Sequence, residues 1–460
     1  MEVKSLFTMV DESKEELVRL HQELVRIESV NTGEPDSGKE TEVCKLLEDK
    51  FSAEGIQNET LESAPGRGNF IANWGGDGSP SLLFMSHTDV VPVEDESTWA
   101  HPPFSGEIID GSVWGRGSDD CKSITATGTM AIFLLKRAGV ALKGNLRLLA
   151  AADEESGGFY GIQWLAANHP EKIRTDFAVN EGGGTPLMSE NGGLVYPFPI
   201  GEKGRMELTF SFSGRSGHAA HPWRADNALY RIAEVLKRLK NYQSNAEVNV
   251  GVPIFKNLRL FGVQEEVEAD NADKVIDRIE KNNKRLASAL RGMSRISITP
   301  TIAKAGAKSN SIPAAATLTC DVRTLPYQNE GYVKREIDKL IEGIEGIDGV
   351  SYKLEVWAYS NSSPSEGWFV DQMKLATEEV LGTGIQMVPE LTIGFTDSRC
   401  VRPLGTLAYG FSPLSPKTDT TRSGVHGINE SMDIENLVFR TKVQIALAYH
   451  VLQGKAELSV

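Results

Sequence analysis

The sequence has no long hydrophobic run, few cysteines and no excess of positive charge. No apolar stretch approaches the ~20 residues of a membrane-spanning helix. The first residues are charged and include no apolar signal segment, so export is not predicted either. The four cysteines, Cys44, Cys121, Cys320 and Cys400, are far apart, which favours reduced thiols over disulfides. We therefore expect a cytoplasmic protein without a membrane partner.

The charge and length narrow the class of protein further. A net charge of −15 argues against nucleic acid as a partner, because a phosphate backbone requires a basic surface. A chain of 460 residues with 40% apolar content can bury a large core and should divide into two or three domains. We therefore expect a globular protein that acts on a small molecule.

Three apolar segments typical of buried parallel strands each lead into residues that can bind a metal ion. They are residues 81–85 before His87, residues 145–152 before Glu154 and Glu155, and residues 176–179 before Glu181. Open α/β sheets bind ligands at the carboxyl ends of their strands. We therefore expect His87, Glu155 and Glu181 to meet at one edge of one sheet.

Two further segments complete this set. Asp120 lies in a glycine-broken loop before a predicted helix from about Ser123 to Arg137, where a lone acid would be interpreted as a helix N-cap. His426 lies in a loop before the last long helical pattern, and a lone histidine there is more often a surface residue. Together with the three strand ends, they predict a two-metal hydrolytic site.

The donor types indicate which metal would bind. Imidazole and carboxylate donors without a thiolate suit Zn²⁺ and, less selectively, Co²⁺ or Mn²⁺, whereas an all-oxygen set would indicate Mg²⁺ or Ca²⁺. Two ions about 3.5–4 Å apart need one carboxylate between them and acidify a water. Asp120 is the natural bridge, and we predict two Zn²⁺ ions per subunit.

The motifs resemble those of the M20 metallopeptidases. The resemblance covers essentially the whole chain and rests on five motifs in order, which are His87-Thr88-Asp89-Val90-Val91-Pro92, Gly115-Arg116-Gly117 with Asp120, Asp153-Glu154-Glu155, Asn180-Glu181-Gly182-Gly183, and His426 with Glu430. Each motif is weak alone, but the ordered set is specific. The resemblance implies an α/β, zinc-peptidase-like catalytic domain with a mixed, largely parallel sheet and an inserted α+β, ferredoxin-like lid.

The resemblance also implies how the ligands divide between two metals. One ion would be held by His87 and Glu181. The other would be held by Glu155 and His426. Asp120 would bridge both ions.

Five further residues match catalytic or substrate-binding positions of the family. Asp89 would orient the neighbouring imidazole. Glu154 would be the general base that takes a proton from water and returns it to the leaving amine. His218 would stabilise the oxyanion, commonly from the second subunit of a homodimer. Asn310 and Arg323 would hold a free carboxylate of the substrate.

Several positions leave an alternative open or depart from the family. Arg323 could instead form a salt bridge with Asp321. Cys121 and Ser123 replace residues common in relatives, and Asp119 adds an acid before the bridging position. Cys121 could be a ligand or a nucleophile, but no second thiol lies at ligand spacing. We expect these changes to affect the shape of the pocket rather than the chemistry.

The hydrophobic pattern changes near Gly201. Before this point, helical patterns alternate with buried strands, whereas residues 206–212 alternate as in a half-exposed antiparallel strand. The chain must then return to the first domain to bring its last histidine to the site. We predict a catalytic domain of residues 1–201 and 362–460, and an inserted lid and dimerisation domain of residues 202–361.

Other patterns predict how the chain begins and how the lid is extended. The first helix should begin near Ser13, with Glu16 completing a capping box. Residues 269–291 predict an amphipathic surface helix that enlarges the lid. Residues 200–204 and 359–366 are the predicted linkers.

The predicted reaction is hydrolysis of an amide bond next to a free carboxylate. The first interpretation is a carboxypeptidase or dipeptidase that acts on small peptides. The alternative is an N-acyl-amino-acid amidohydrolase of the aminoacylase or deacetylase type, which would use the same site. A remote alternative is a non-catalytic binding protein on the same fold, although competent residues occupy all six ligand and base positions.

Overall fold

The structure is a computed structural model that describes residues 2–34, 36–248, 253–343, 350–419 and 423–453. The described residues form these α-helices: α1 (Val3–Glu12), α2 (Lys14–Val25), α3 (Glu40–Ala53), α4 (Lys122–Arg137), α5 (Ile162–Asn168), α6 (Pro170–Ile173), α7 (Ala228–Asn241), α8 (Ala272–Glu280), α9 (Lys284–Ser294), α10 (Glu330–Ile341), α11 (Trp368–Leu381), α12 (Ser398–Val401) and α13 (Ile434–Leu452).

The same residues form these strands: β1 (Gln57–Glu62), β2 (Gly68–Gly75), β3 (Gly78–His87), β4 (Ile108–Ile109), β5 (Ser112–Trp114), β6 (Gly144–Ala151), β7 (Phe177–Asn180), β8 (Leu187–Met188), β9 (Leu194–Glu202), β10 (Gly204–Ser213), β11 (Gly217–His218), β12 (Ser297–Ala305), β13 (Ser311–Ile312), β14 (Ala315–Thr324), β15 (Val350–Ala358), β16 (Asn361–Ser362), β17 (Ile385–Thr392), β18 (Leu407–Gly410) and β19 (Ser431–Asp433).

A six-stranded sheet carries the predicted metal ligands at its edge. Its strand order is β1-β2-β6-β3-β7-β18. Strands β6, β3, β7 and β18 are parallel, whereas β1 and β2 are antiparallel additions. The prediction of a mixed, largely parallel sheet is confirmed.

Both faces of this sheet are covered, which explains its continuous apolar runs. On β3, Leu82 and Phe84 pack into one hydrophobic core, and Leu83 and Met85 pack into another on the opposite face. The first core is completed by helices α1, α2, α3, α4, α11 and α13, and the second by α5 and α12. Parallel strands are usually buried on both faces in this way.

A second, four-stranded antiparallel sheet has the ferredoxin-like order that the resemblance implied. Its strand order is β12-β14-β10-β15, and α7 and α10 pack on one face. Along the chain these elements follow the β-α-β-β-α-β sequence of the ferredoxin-like motif. Buried Met206, Leu208, Phe210 and Phe212 alternate along β10, as the sequence predicted.

The predicted single helix over residues 269–291 is wrong in two respects. It is two helices, α8 and α9, separated at residues 281–283. Their apolar side chains pack against Val195 of β9 and against Val388 and Leu391 of β17, so they do not enlarge the four-stranded sheet. The buried Lys203 amine donates to the carbonyls of Gly292 and Arg295, which fixes the end of α9.

The start of the chain and the predicted linkers also differ from expectation. Helix α1 precedes the predicted first helix, and Ser13 is the N-cap of α2 without a side-chain capping bond, so the capping box does not form. The two predicted linkers, residues 200–204 and 359–366, are not irregular segments. Asn361 and Ser362 of β16 pair with Glu202 and Gly201 of β9. Within the described part of the chain, no helix is long and apolar enough to span a membrane.

Candidate metal centre and active site

The ends of β3 and β7 bring two predicted ligands beside Asp120. His87 is the last residue of β3, and its side chain is buried. Its Nε2 lies 2.9 Å from Asp120 Oδ1 and 3.5 Å from Glu181 Oε2. Donors from three separate segments therefore converge on one point.

The other oxygen of Asp120 faces a second group of donors. His426 Nε2 lies 3.1 Å from Asp120 Oδ2 and 3.2 Å from Glu155 Oε2. Glu155 follows β6, and His426 lies in the loop before β19. The two oxygens of one carboxylate thus face two sites, each with one histidine and one glutamate.

The donors fit a pair of divalent cations. Ligand atoms around a tetrahedral Zn²⁺ with bonds of about 2.0–2.1 Å lie about 3.3 Å apart, which is close to the 2.9–3.5 Å separations of these donor atoms. Their charges also favour a cation. Hydrogen bonds to Asp120 and Glu155 raise the pKa of His426 to about 10, so these carboxylates stabilise positive charge strongly.

A short antiparallel pair of strands joins the two loops that carry Asp120 and His426. Ser431 of β19 pairs with Trp114 of β5. Between them, the buried carboxylate of Glu430 accepts hydrogen bonds from the backbone N–H groups of Gly117, Asp119 and Asp120, at 2.9–3.0 Å, and from Arg116 Nη1 at 2.7 Å. Glu430 therefore fixes the backbone that presents the bridging carboxylate. The sequence motif includes Glu430 with His426 but gives no indication of this role.

Asp89 holds both the first histidine and the turn after β6. Its Oδ1 lies 3.4 Å from His87 Nδ1, which also lies 3.0 Å from the Asp89 carbonyl. The same carboxylate accepts the N–H groups of Glu154 and Glu155, each at 3.1 Å. Asp89 is therefore placed to orient the His87 ring and the turn that follows β6.

Glu154 differs from its neighbour Glu155 in what it contacts. Its side chain is buried, and no donor among the described residues hydrogen-bonds its carboxylate. Burial, followed by the nearby charge of Glu181, raises the pKa of Glu154 well above its ordinary value. A carboxylate in these surroundings takes up a proton more readily than an exposed one.

The departures from the family pattern have structural partners. The Cys121 Sγ accepts the N–H of His87 at 3.1 Å, and burial raises the pKa of this thiol to about 12. Cys121 is thus a neutral group that holds the end of β3, although it lies near the first set of donors. Ser123 Oγ donates to the carbonyl of Asp119 and accepts from buried Arg440, at 2.9 and 2.8 Å.

The predicted substrate-binding residues lie on the second sheet and its short hairpin. His218 of β11 pairs with Ser311 of β13, and the N–H of Ala219 donates to the carbonyl of Asn310 at 3.1 Å. The His218 side chain is exposed and forms no hydrogen bond or ion pair with the metal-site residues described above. The structure therefore brings Asn310 and His218 together at the β11–β13 pair.

Arg323 is paired within its own strand. Its Nε donates to Asp321 Oδ1 at 2.7 Å, and Asp321 Oδ2 accepts from Arg205 at 3.2 Å. This is the salt bridge that the sequence left open as an alternative. The guanidinium Nη groups of Arg323 form no ion pair or hydrogen bond that involves the described residues.

A largely parallel α/β sheet with two adjacent sets of imidazole and carboxylate donors defines the class of metal-dependent hydrolases. The family model "Peptidase family M20/M25/M40" matches residues 83–450. The chain therefore belongs to this family of metal-dependent peptidases. The resemblance to M20 metallopeptidases that the motifs indicated is confirmed.

Among relatives, the succinyl-diaminopimelate desuccinylase of Paracoccus denitrificans is 34% identical over 220 residues, which cover 47% of this chain and 54% of that protein. This match thus spans about half of the length of the relative. A probable succinyl-diaminopimelate desuccinylase of Staphylococcus aureus is 26% identical over 360 residues, covering 76% of this chain and 77% of its own.

Solved structures share the fold. An M20 family metallo-carboxypeptidase from Sulfolobus solfataricus superposes with a TM-score of 0.69 at 20% identity, covering 94% of this chain and 98% of its own. A di-peptidase from Saccharomyces cerevisiae superposes with a TM-score of 0.67 at 17% identity, covering 99% of each chain. A dinuclear metal-binding M20 peptidase from Bacillus subtilis superposes with a TM-score of 0.60 at 16% identity, covering 96% of this chain and 99% of its own.

Proposed function

We propose that the protein hydrolyses an amide bond next to a free carboxylate, as a carboxypeptidase or dipeptidase with two Zn²⁺ ions per subunit. The observation that carries this proposal is the arrangement of Asp120, whose two oxygens lie 2.9 Å from His87 Nε2 and 3.1 Å from His426 Nε2, with one glutamate beside each histidine. An ordinary ion pair would need only one partner for this carboxylate. Co²⁺ or Mn²⁺ would suit the same donors.

His87 and Glu181 would hold one ion and Glu155 and His426 the other, with Asp120 between them. When bound, the ions supply Lewis acidity that polarises a carbonyl and lowers the pKa of a water. These assignments account for why five ligands from distant segments converge here.

Glu154 would be the general base. Its carboxylate is buried and free of hydrogen-bond donors within the described chain, so it remains available to a water beside the ligands. It would take one proton from that water and deliver it to the nitrogen of the leaving amine as the C–N bond breaks. Its raised pKa suits both steps. Asp89 would hold the His87 ring and the backbone of Glu154 in fixed positions relative to each other during the reaction.

Substrate recognition would come from the second sheet. Asn310 and Arg323 would anchor the free carboxylate, with Arg323 using the Nη groups that its bond to Asp321 leaves available. His218 would stabilise the oxyanion from the other subunit of a homodimer, because its exposed ring forms no hydrogen bond or ion pair with the donors of its own chain. We further propose residues 1–201 and 362–460 as the catalytic domain and residues 202–361 as the lid, in a cytoplasmic enzyme.

The second candidate is an N-acyl-amino-acid amidohydrolase. The names of the relatives favour it, since a desuccinylase removes an acyl group. The same ligands and base would serve this reaction, because both substrates present an amide and a carboxylate. The two candidates differ in what the pocket binds on the acyl side, which is a free amine in a dipeptide and an apolar or acidic acyl chain otherwise.

The test is turnover of the metal-reconstituted protein against unblocked dipeptides and N-acyl amino acids, including N-succinyl compounds, with products identified by mass. Cleavage of dipeptides alone supports the first candidate, and cleavage of acylated substrates alone supports the second. A chelator should abolish either activity, and Zn²⁺ or Co²⁺ should restore it. Hydrolysis that survives complete chelation contradicts both candidates, and no hydrolysis with both ions bound favours a binding protein.

A further inference from the structure

The turn after β6 carries both Glu154 and Glu155, and buried carboxylates hold its backbone. The N–H of Asp153 donates to Glu40 Oε1 at 3.2 Å. The next two N–H groups, those of Glu154 and Glu155, donate to the two oxygens of Asp89. Three consecutive N–H groups are therefore bound to acids from two other segments of the chain.

Asp153 itself is clamped from several directions. Its Oδ1 accepts from Arg67 Nη2 at 2.9 Å and from Asn31 Nδ2 at 3.0 Å, and its Oδ2 accepts the N–H of Tyr160 at 2.9 Å. Its backbone has a φ of +67°, in the left-handed region that is uncommon for residues other than glycine and that Asp adopts more often than most. The side-chain contacts of Asp153 thus determine where the next two residues lie.

Arg67 connects these acids. Its Nη2 lies 2.8 Å from Glu40 Oε1 and 2.9 Å from Asp153 Oδ1, and its guanidinium stacks on the Tyr160 ring at 5.0 Å. Arg67, Glu40 and Asp153 are all at most 2% exposed. Asn31 extends the network by donating to Asp89 and to Asp153.

The charges in this network are unequal. Glu40, Asp89 and Asp153 are three buried acids, and of the lysines and arginines that the structure describes only Arg67 forms an ion pair with any of them. Burial, together with the charge of Asp89, raises the pKa of Glu40 to about 8. A buried carboxylate that loses its cation either takes up a proton or moves toward water. Either change would alter the hydrogen bonds that hold the turn.

We propose that Arg67 is a positioning residue that places the base Glu154 and the metal ligand Glu155 through Asp153. The inference rests on the proposed roles of those two glutamates. Within the described residues Arg67 forms no hydrogen bond or ion pair with the five proposed ligands, and its direct partners are Glu40, Asp153 and the Tyr160 ring, so its effect acts mainly through the turn. It should therefore control the second metal site, with Glu155, more than the first, with His87 and Glu181.

Apoprotein titrated with Co²⁺ by calorimetry, together with steady-state kinetics, tests this inference. In Arg67→Met we expect the affinity for the ion held by Glu155 to fall about 10–100-fold, while the other ion binds as in the unchanged protein. The kcat should fall by a similar factor with little change in KM, because the carboxylate anchor is untouched. Arg67→Lys keeps the positive charge but replaces the planar guanidinium with a single ammonium group. It should therefore recover part of the lost metal affinity and part of the lost kcat.

Arg147→Met is the matched control. Arg147 lies on β6, which leads to the same turn, and its Nη1 donates to the carbonyls of Glu171 and Lys172 at 2.9 Å. Its loss should lower the thermal unfolding temperature of the protein. It should not weaken the binding of one ion more than that of the other. A purely structural role for Arg67 would give the same result as this control.

Two ions bound with unchanged affinity and an unchanged kcat in Arg67→Met would overturn the inference. If Arg67→Met does not fold, the comparison of Arg67→Lys with Arg147→Lys tests the inference instead. An Arg67→Lys protein with the same metal affinities and kcat as Arg147→Lys would also overturn the inference. Glu155→Gln separates this failure from that of the proposed function. A Glu155→Gln protein that still binds two ions shows that Glu155 is not a ligand, whatever Arg67 does.

Discussion

At the scale of single residues, Glu154 and Glu155 are adjacent and chemically identical, but their carboxylates lie in different surroundings. Both Glu155 oxygens lie 3.2 Å from His426 Nε2, whereas the Glu154 carboxylate has no hydrogen-bond donor in the described chain. A ligand must face its metal, and a base must face the reacting water. The local turn geometry, with Asp153 in a left-handed conformation, directs the two side chains apart.

Glu154→Gln should bind two ions and substrate but turn over about 10²–10⁴-fold more slowly, which is the range that general acid–base groups contribute. The amide keeps the size of the side chain and removes its ability to accept a proton. Metal content by elemental analysis and kcat measured under saturating substrate check this. Near-normal turnover would contradict the assignment of the base.

Glu390 offers a test of a half-buried charge that is not part of the metal site. It lies on β17 beside the core formed with α8 and α9, and burial raises its pKa from 4.5 to about 7. Because the folded state binds this proton more tightly, the stability due to the neutral form is complete below pH 4.5 and is lost as pH rises through about 7.

Glu390→Gln should therefore match the unchanged protein near pH 4 and exceed it above pH 7, by at most about 3 kcal/mol in free energy of unfolding. Glutamine cannot ionise, so it avoids the cost of the buried charge. Urea unfolding at several pH values between 4 and 8 measures the difference. A difference that does not change with pH would show that Glu390 ionises without cost.

At the scale of elements, a two-strand pairing and one acid set the position of the bridging loop. Glu430 receives three backbone N–H groups and Arg116, and both side chains of that ion pair are nearly inaccessible to solvent. Removing one partner of a buried ion pair costs about 3–5 kcal/mol, because the other charge is left unpaired. The loop with Asp120 should therefore depend on Glu430.

Glu430→Gln should weaken binding of both ions by about 10–100-fold, because its new amide donors oppose the N–H groups of the loop and displace Asp120. The variant Glu155→Gln should weaken one ion only, which makes it the matched comparison. Co²⁺ titration with the visible absorption of each site distinguishes the two patterns. Equal and unchanged affinities in Glu430→Gln would mean that Asp120 holds its position without this support.

The sequence predicted the elements that present the ligands, because each had a local signal. Buried strands before His87, Glu155 and Glu181 are continuous apolar runs, and the helix after Asp120 was predicted from Ser123 to Arg137 and begins at Lys122. Convergence of the ligands followed from the rule that parallel strands end at the same edge. The structure brings these side chains and His426 together around Asp120, and their role as metal ligands stays a prediction.

Other features depended on long-range packing and had no local signal. The helical pattern of residues 269–291 indicated an amphipathic face but not the partner of that face, which is β9 and β17 rather than the lid sheet. Arg67 is a single basic residue in a glycine-bearing turn, and nothing in its neighbourhood indicates the acids that it meets. Helix α1 had a local signal that was overlooked, since Val3, Leu6 and Val10 recur at helical spacing.

At the scale of the whole molecule, the surface around His218 suits a second copy of the chain. Trp223 is 88% exposed and Tyr230 is 75% exposed, and both lie close to His218 in sequence. Strand β12 forms one edge of the four-stranded sheet, with Ile302 exposed on it. A contiguous exposed apolar patch or an open strand edge is a surface on which another chain can pair. The homodimer proposed above would cover these features.

Complementation between two inactive variants tests whether His218 acts across subunits. His218→Ala alone should lose about 10²–10³-fold in turnover, as does the loss of one oxyanion donor elsewhere, and Glu154→Gln should be inactive for a different reason. In a mixed dimer, the His218→Ala subunit has an intact Glu154 and receives His218 from its partner. Random reassociation makes half of the dimers mixed with one working site each, so activity should return to about a quarter of the unchanged level.

The same mixture gives no recovery if His218 acts within its own subunit, because each site then lacks one of the two groups. Mass photometry of the mixture shows whether dimers exist, so an absence of recovery is interpreted only for a protein that dimerises. A fully active monomer would reject action across subunits directly. The exposed position of His218 and its lack of contact with the donors of its own chain favour recovery.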